Sequence, residues 1–538
     1  MPRVILDWDE KHKKGIIFSE FLETIRANFS VPNESKIQMS KRGMPTYYMS
    51  DFISPITSTG RFDLGLYFEI NEYLKHNSMD YEVITTDPLS NELLQTYSWK
   101  FSYDIPQLSM PLYPHQISGV KRGIHLGYGI MIVGTAGGKT LLMASLIQTI
   151  RKYQPPFTSI VILPSNILMQ TYKEFLNYRI PESDMSMWGG ENELDKRPII
   201  LASAETLKSN LTTCSTLKPK TEIEWKEYNP KTKVKHETYN EYLDDFKKCA
   251  KLRKSTWIKR RKSIIKELSD VDLVLIDEAH SLRRNNVIND VLDIFPTRHR
   301  FGFTGTLPQS LLDQWNILGN IGPIILDINS AILRKNGFIS QVKIQGIKIN
   351  YKNPPQFNYE ADFDPNKPIK AYEEECDFLY YNEFRNNIIT HLANGFNKNT
   401  LIIVDKIEHG EVLKEQLSKI TGKQTYFIRG SVEMDDREKL RALMEIDNNI
   451  ICIAMARIFA VGINIKNLHY VIFAQGGKAK VTLIQSIGRG LRLHEEKECL
   501  IIIDIADGTY YGEKHLVNRM SYYKDEQIDY EFKELFEK

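Results

Sequence analysis

A chain of 538 residues, 42% hydrophobic and 26% charged, has the balance of a soluble globular protein of about three domains, which excludes a disordered, collagen-like or disulfide-stapled chain. The net charge is only +2, so affinity for a polyanion has to come from local patches. Five scattered cysteines without a Cys-x-x-Cys pair, no apolar run of about 18 residues, and an opening MPRVILDWDEKHKK unlike a signal peptide predict reduced thiols, no zinc site, no membrane association and a cytoplasmic, intracellular protein.

Residues 1–105 read as a small α+β N-terminal domain. Short strand-like runs (Arg3–Leu6, Gly15–Phe18, Tyr81–Ile84) alternate with two helical patterns. Ser19 is placed to cap the first, which carries Ile25 and Phe29. The second covers 64–76, with Leu66, Ile70, Tyr73 and Leu74 on one side. This region holds eleven Lys/Arg against fifteen Asp/Glu, so net charge does not favour DNA. A patch of Lys36, Lys41, Arg42 and Arg61 with Tyr47 and Tyr48 could still hold a duplex or stack on bases; a scaffolding role is the other reading.

From 106 to 335 apolar runs alternate with amphipathic stretches: Gly129–Val133, Ser159–Leu163, Ile199–Ala202, Leu273–Ile276 and Phe301–Phe303. Continuous apolar runs between helices predict a parallel sheet buried on both faces. The first run leads into Gly134-Thr135-Ala136-Gly137-Gly138-Lys139-Thr140 and then a helical pattern. Strand, small-residue turn and helix form a phosphate-loop context: backbone N–H groups approach phosphates, Lys139 charges the β/γ oxygens, and the Thr140 hydroxyl can ligate Mg²⁺. Residues 208–267 then break the rhythm, too long for a loop, with seventeen Lys/Arg against eight Asp/Glu. A solvated insertion and a helical arm touching a polyanion both fit. The next apolar run ends in Asp277-Glu278-Ala279-His280. Acids at the carboxyl edge of a sheet sit where ligands bind: Asp277 to hold Mg²⁺, Glu278 to orient or deprotonate water.

A second series over 336–538 (Thr400–Val404, Thr425–Ile428, Ile450–Ala454, Tyr470–Phe473, Leu500–Ile505) predicts a second doubly wound domain. Within it Arg489 and Arg492 stand three apart, on one helical face. Phosphoryl transfer needs such positive charge on the transferred group. Gln485 precedes them.

Together these motifs resemble a superfamily 2 helicase or translocase, over about 110 to 505. Thr135 to Thr140 matches its motif I, with Val133 and Ala136 departing from the usual form. Asp277-Glu278-Ala279-His280 is its motif II, and Thr304-Gly305-Thr306 resembles motif III, which links ATP turnover to strand movement. Leu112-Tyr113-Pro114-His115-Gln116 resembles the segment whose Gln reads adenine. Pro164, Leu168 and Gln170 fit motif Ia, and Ser203 with Thr206 fit motif Ib, both facing the nucleic-acid backbone. Gln485, Gly488, Arg489 and Arg492 match motif VI. Motif V keeps Gly462 but lacks the usual Thr and Asp. The resemblance implies two tandem RecA-like, doubly wound parallel-sheet domains, with ATP and Mg²⁺ bound between them and the arginines completing the site on closure. Within the superfamily the nearest likeness is to phage recombination helicases. That implies branched DNA as partner (R-loops, D-loops, forks and junctions), with RNA or an RNA–DNA hybrid as alternatives and recombination or replication proteins as further partners. An RNA helicase, the motor of a restriction or defence complex, and a non-catalytic nucleotide-gated binding protein are the other readings.

Overall fold

The computed structural model describes the chain from Arg3 to Lys538 except 7–13, 42, 80–81, 86–102, 213–220, 223–224, 226–235, 237, 285, 296, 298, 356–369, 430–433, 457–464, 466 and 475–496. Backbone contacts group it into two units. One takes Met1–Glu34, Met49–Met131 and Thr140–Leu326; the other takes Ser35–Tyr48, Ile132–Lys139 and Asp327–Lys538.

The N-terminal region forms the small α+β fold that its mixed pattern predicts. Strands β1 (Arg3–Leu6) and β2 (Lys14–Phe18) pair antiparallel. A two-stranded ribbon, β3 (Val31–Pro32) with β4 (Phe52–Ile53), stands apart. With β5 (Arg61–Asp63) and β6 (Glu82–Thr85), the main sheet runs β5-β2-β1-β6. Ile25, Ile70 and Leu74 from the two helices pack on Ile17 and Phe62. Ser19 does not cap the first helix directly. Its Oγ accepts from Phe21 N at 3.0 Å in the turn before, and the helix begins at Leu22.

This core also holds Trp315, from the helix Leu311–Ile321. The two backbones meet there without side chains between them. A Cβ on Gly65 would fall on the carbonyl of Leu318, and one on Gly319 would lie 2.7 Å from Asp63 Cβ. The N-terminal region is therefore docked on that helix.

Seven strands follow as one sheet: β7 (Gly129–Val133), β8 (Ser159–Leu163), β9 (Met185–Trp188), β10 (Ile199–Ser203), β11 (Leu273–Asp277), β12 (Arg300–Thr304) and β13 (Ile324–Ile328). Their order is β13-β7-β12-β11-β8-β10-β9. Strands β7, β8, β10, β11 and β12 are buried at every position, as a sheet covered on both faces requires. Parallel pairing of β8, β10, β11 and β12 brings Leu163 beside Ser203 and Asp277 beside Phe303, so these carboxyl ends share one edge.

Residues 208–267 contribute no strand among the described residues, yet they are not wholly solvated. Leu211 closes the helix Ala204–Leu211 and is fully buried, as are Leu268 and nearly so Ile264 at the end of the helix Tyr239–Leu268. The insertion is rooted in the domain at both ends, because its flanking turns carry core side chains.

In the second unit, β14 (Gln341–Asn350), β15 (Thr400–Val404), β16 (Thr425–Ile428), β17 (Ile451–Met455), β18 (Tyr470–Phe473), β19 (Cys499–Asp507) and β20 (Asp529–Phe536) form a parallel sheet ordered β16-β17-β15-β18-β19-β14-β20. Alternate residues serve opposite cores. Leu401, Ile403, Cys452, Ala454, Val471 and Phe473 join one, while Ile402, Val404, Ile451, Ile453 and Ile472 join the other. The fold is the predicted pair of doubly wound domains behind a small α+β region.

Candidate nucleotide site and nucleic-acid face

The phosphate loop leaves the buried β7 and winds into the helix Lys139–Tyr153. Two residues take left-handed backbone, Ala136 (φ 65°) and Gly138 (φ 80°). Gly134 N donates to Ile328 O at 2.8 Å, and Gly137 N to Gly134 O at 2.9 Å. There is no room for side chains: a Cβ on Gly134 would lie 2.6 Å from Ser330 N, and one on Gly137 2.7 Å from Val133 Cγ1. Lys139 and Thr140 open the helix, whose first N–H groups have no intrahelical acceptor and favour an anion.

Motif II stands at the end of β11. Asp277 is 8% exposed, and its Oδ1 accepts from Glu278 N at 2.9 Å. Glu278 adopts left-handed backbone (φ 52°, ψ 48°), which turns the chain sharply off the strand. His280 Nδ1 lies 3.1 Å from both Glu278 Oε2 and Thr304 Oγ1. The Thr304 hydroxyl donates its one proton to Thr306 O at 2.7 Å. It is therefore an acceptor towards His280, which carries its proton on Nδ1, beside the Glu278 carboxylate. Thr304, at the end of β12, is fully buried. Motifs II and III are thus joined through one imidazole, a link that the letters of DEAH alone do not disclose.

A second layer extends this network. Asn316 Nδ2 donates to Leu282 O at 2.9 Å, Gln314 Nε2 to Pro308 O at 2.8 Å, and Arg284 N to Asp313 Oδ1 at 3.0 Å. The helix Leu311–Ile321, on which the N-terminal region docks, is bonded to the segments following both motifs.

On the same edge, Pro164 precedes the helix Ser165–Asn177 and Ser203 caps the helix Ala204–Leu211, accepting from Thr206 N at 3.1 Å. Ser203 is 1% exposed, and its hydroxyl also lies 3.0 Å from Ser165 Oγ. Glu205 gathers both starts, accepting from Ser165 N at 3.1 Å, Ser203 Oγ at 3.1 Å, and Ser165 Oγ. Burial would raise the Glu205 carboxyl, but the serine and backbone donors outweigh it and hold it below the ordinary carboxylate range. Ser165 and Glu205 were not singled out in the sequence, because their partners are 40 residues apart. Gln170 Nε2 donates to Glu174 Oε1 at 2.9 Å. Gln116 is 1% exposed, and its Oε1 accepts from Tyr113 N at 2.8 Å, closing a capping box on the helix Pro114–Leu126.

Gly462, Gln485, Gly488, Arg489 and Arg492 lie outside the described residues. A buried ion pair ties the carboxyl ends of β18 and β19. Arg385 Nε meets Asp507 Oδ1 at 2.8 Å, and its Nη2 donates to Asp507 Oδ2 at 3.1 Å and to Ala474 O at 3.0 Å. Tyr351 adds its hydroxyl to Asp507 at 2.6 Å. Burial alone would lower Arg385, but Asp507 holds it above its ordinary value.

Two family models match the chain: "Type III restriction enzyme, res subunit" over residues 109–309 and "Helicase conserved C-terminal domain" over 383–494. The chain belongs to the superfamily 2 helicases. Its two seven-stranded sheets are the tandem RecA-like domains of such a helicase. This helicase is 25% identical over 309 residues to the ATP-dependent DNA helicase uvsW of Enterobacteria phage T4, covering 54% of this chain and 60% of the relative. It is 26% identical over 270 residues to Putative helicase 22 of Sulfolobus islandicus filamentous virus, covering 49% and 47%. The matched stretches thus span about half to three fifths of these relatives. Among solved structures it resembles the type ISP restriction-modification enzyme LlaBIII bound to DNA, with a TM-score of 0.54, 12% identity, and 87% of this chain and 34% of that chain covered. T4 UvsW itself aligns over 99% of both chains at 19% identity and a TM-score of 0.39. No helix among the described residues is long and apolar enough to cross a membrane.

Proposed function

We propose that this helicase couples ATP hydrolysis to the remodelling of branched DNA, unwinding R-loops and D-loops and moving forks and junctions. The observation that carries the motor reading is the His280 bridge. It connects Glu278, the residue for activating water, to Thr304 of motif III, so a change at the phosphate has a bonded path towards the rest of the domain. DNA as partner rests on the likeness to a phage helicase whose name specifies DNA.

In this reading Lys139 and the loop N–H groups hold the β and γ phosphates. Glu278 orients and deprotonates water, Gln485 steadies it, and Arg489 and Arg492 stabilise the charge that develops on the transferred group. Gln116 contributes to the adenine end. Pro164 and Thr206 face the nucleic-acid backbone, while Ser203 and Gln170 hold the helices that present them. Gly305, Thr306 and Gly462 belong to the coupling path. The donor set suits Mg²⁺, a hard cation bound by few carboxylates together with phosphate oxygens and water. Thr140 and Asp277 would hold it, and its charge would neutralise phosphate oxygens. The division into 1–105, 106–335 and 336–538 is part of the proposal.

The test is ATPase rate with single-stranded, duplex, forked and four-way DNA and with RNA. Forked or four-way DNA should stimulate most. Stimulation by RNA above every DNA would replace this reading with an RNA helicase.

A further inference from the structure

The helix Tyr239–Leu268 is 30 residues long, about 45 Å at 1.5 Å per residue. Thr238 and Glu241 close its start in a capping box. Rings of Trp225, Tyr239, Tyr242 and Phe246 cluster there, with centroids 5.6 to 6.4 Å apart. At the other end Trp257 Nε1 donates to Ser209 O at 2.9 Å and Arg261 Nε to Leu211 O at 2.5 Å. Arg260 pairs with Glu193, just past the carboxyl end of β9, at 3.3 Å. Residues before Trp257 therefore run beyond the sheet edge that carries Pro164 and Ser203. Ahead of Trp257, every residue from 247 to 256 is exposed.

From Lys247 to Lys266 there are ten basic side chains and no acid. At about 100° per residue, Trp257, Ile264 and Leu268 fall within a narrow arc facing the domain. Lys251, Lys259, Lys262 and Lys266 fall on the opposite side, along roughly 22 Å of axis. Lys247 and Lys248 meet Asp244 and Asp245 at 3.1 and 3.6 Å. Among the described residues no carboxylate pairs with any of the other four. Lys259, Lys262 and Lys266 stand three and four apart, where like charges repel. The folded arm sustains that repulsion, and a bound polyanion would relieve it.

We propose that this lysine stripe binds the phosphate backbone of a duplex arm of the DNA substrate. A long helix, anchored to the domain through Trp257, Arg261, Ile264 and Leu268, offers charges along a line. A duplex is the polyanion stiff enough to meet several at once, with one phosphate per about 1.7 Å of axis. The inference rests on the nucleic-acid reading above and adds a contact surface to it.

The test compares the parent with K251Q/K259Q/K262Q/K266Q, and with K414Q/K419Q/K524Q/K533Q as a control of equal charge. Binding of a 30-base-pair duplex is measured from 50 to 300 mM salt, beside unstimulated ATPase and unfolding temperature. Loss of four phosphate contacts should flatten the slope of log K against log salt by roughly 3 to 4 and weaken binding by about 10⁴-fold at 50 mM salt, the two lines drawing together as salt rises. The control and the ATPase should stay within about twofold. If the fourfold variant does not fold, K259Q/K262Q should show a slope change of roughly 2. Parallel lines from a parent that binds overturn this inference alone. So does a stripe-dependent affinity for poly-glutamate without an effect on DNA. A parent that binds no nucleic acid overturns the wider reading as well.

Discussion

At the residue scale, the chemistry concentrates at Glu278. Its left-handed backbone and its contact with His280 hold the carboxylate while the Asp277 carboxylate stays by the backbone turn. Glu278→Gln keeps the shape and removes the base. Nucleotide affinity should stay within a few fold, while kcat falls by about 10² to 10⁴. Fluorescent-nucleotide binding and steady-state turnover on one preparation separate the two, and normal turnover would remove Glu278 from this role. Ala136 is another residue under local constraint. An alanine with φ 65° stores about 1 kcal/mol that glycine would not. Ala136→Gly should therefore raise the unfolding free energy by up to about 1 kcal/mol, read in urea titrations.

At the scale of elements, the helix Leu311–Ile321 has two allegiances. One side is bonded to the segments after motifs II and III, and the other receives the N-terminal region across Gly65 and Gly319. A methyl at Gly65 meets a backbone carbonyl that cannot swing away, unlike the end of a flexible side chain. Gly65→Ala should destabilise by about 1 to 3 kcal/mol, the usual cost of overpacking. Gly395→Ala, where a Cβ meets nothing within 4 Å, should be neutral or slightly stabilising. Thermal unfolding of the two side by side checks this, and equal melting temperatures would mean that the docking is loose.

At the scale of the whole molecule, stability on the acid side is set by carboxylates held by partners. Arg151 bonds Asp184 at 2.6 Å and holds its carboxyl below the ordinary range against a smaller opposing effect of burial. A carboxyl lowered in the folded state adds stability that is full above its unfolded value, near 4, and drains away as pH falls through the folded value. Asp184→Asn should therefore lower stability at pH 7 but not near pH 2. Urea midpoints across that range would show the two curves converging; a constant gap would assign the loss to packing.

Much of this protein was determined by local sequence. Ten apolar runs bounded by turns became strands within a residue or two, because a buried parallel strand needs little beyond a continuous apolar segment. The phosphate loop and the DEAH run were equally legible, since close approach to phosphate and acids at a strand end are local demands. What the sequence left open depended on distant partners. Strands β9 and β13 went unread, and so did β14 and β20, whose polar residues alternate with buried ones or face solvent at a sheet edge. Ser203 looked like a nucleic-acid contact, yet tertiary structure surrounds its hydroxyl with Thr206, Ser165 and Glu205. The basic insertion left two readings open, a solvated segment and an arm for a polyanion, and its charge count could not show that Leu211 and Ile264 are buried in the core. In each case a side chain's surroundings come from strands and helices tens of residues away. Periodicity reports which residues can be buried, but only the assembled fold decides what they are buried against.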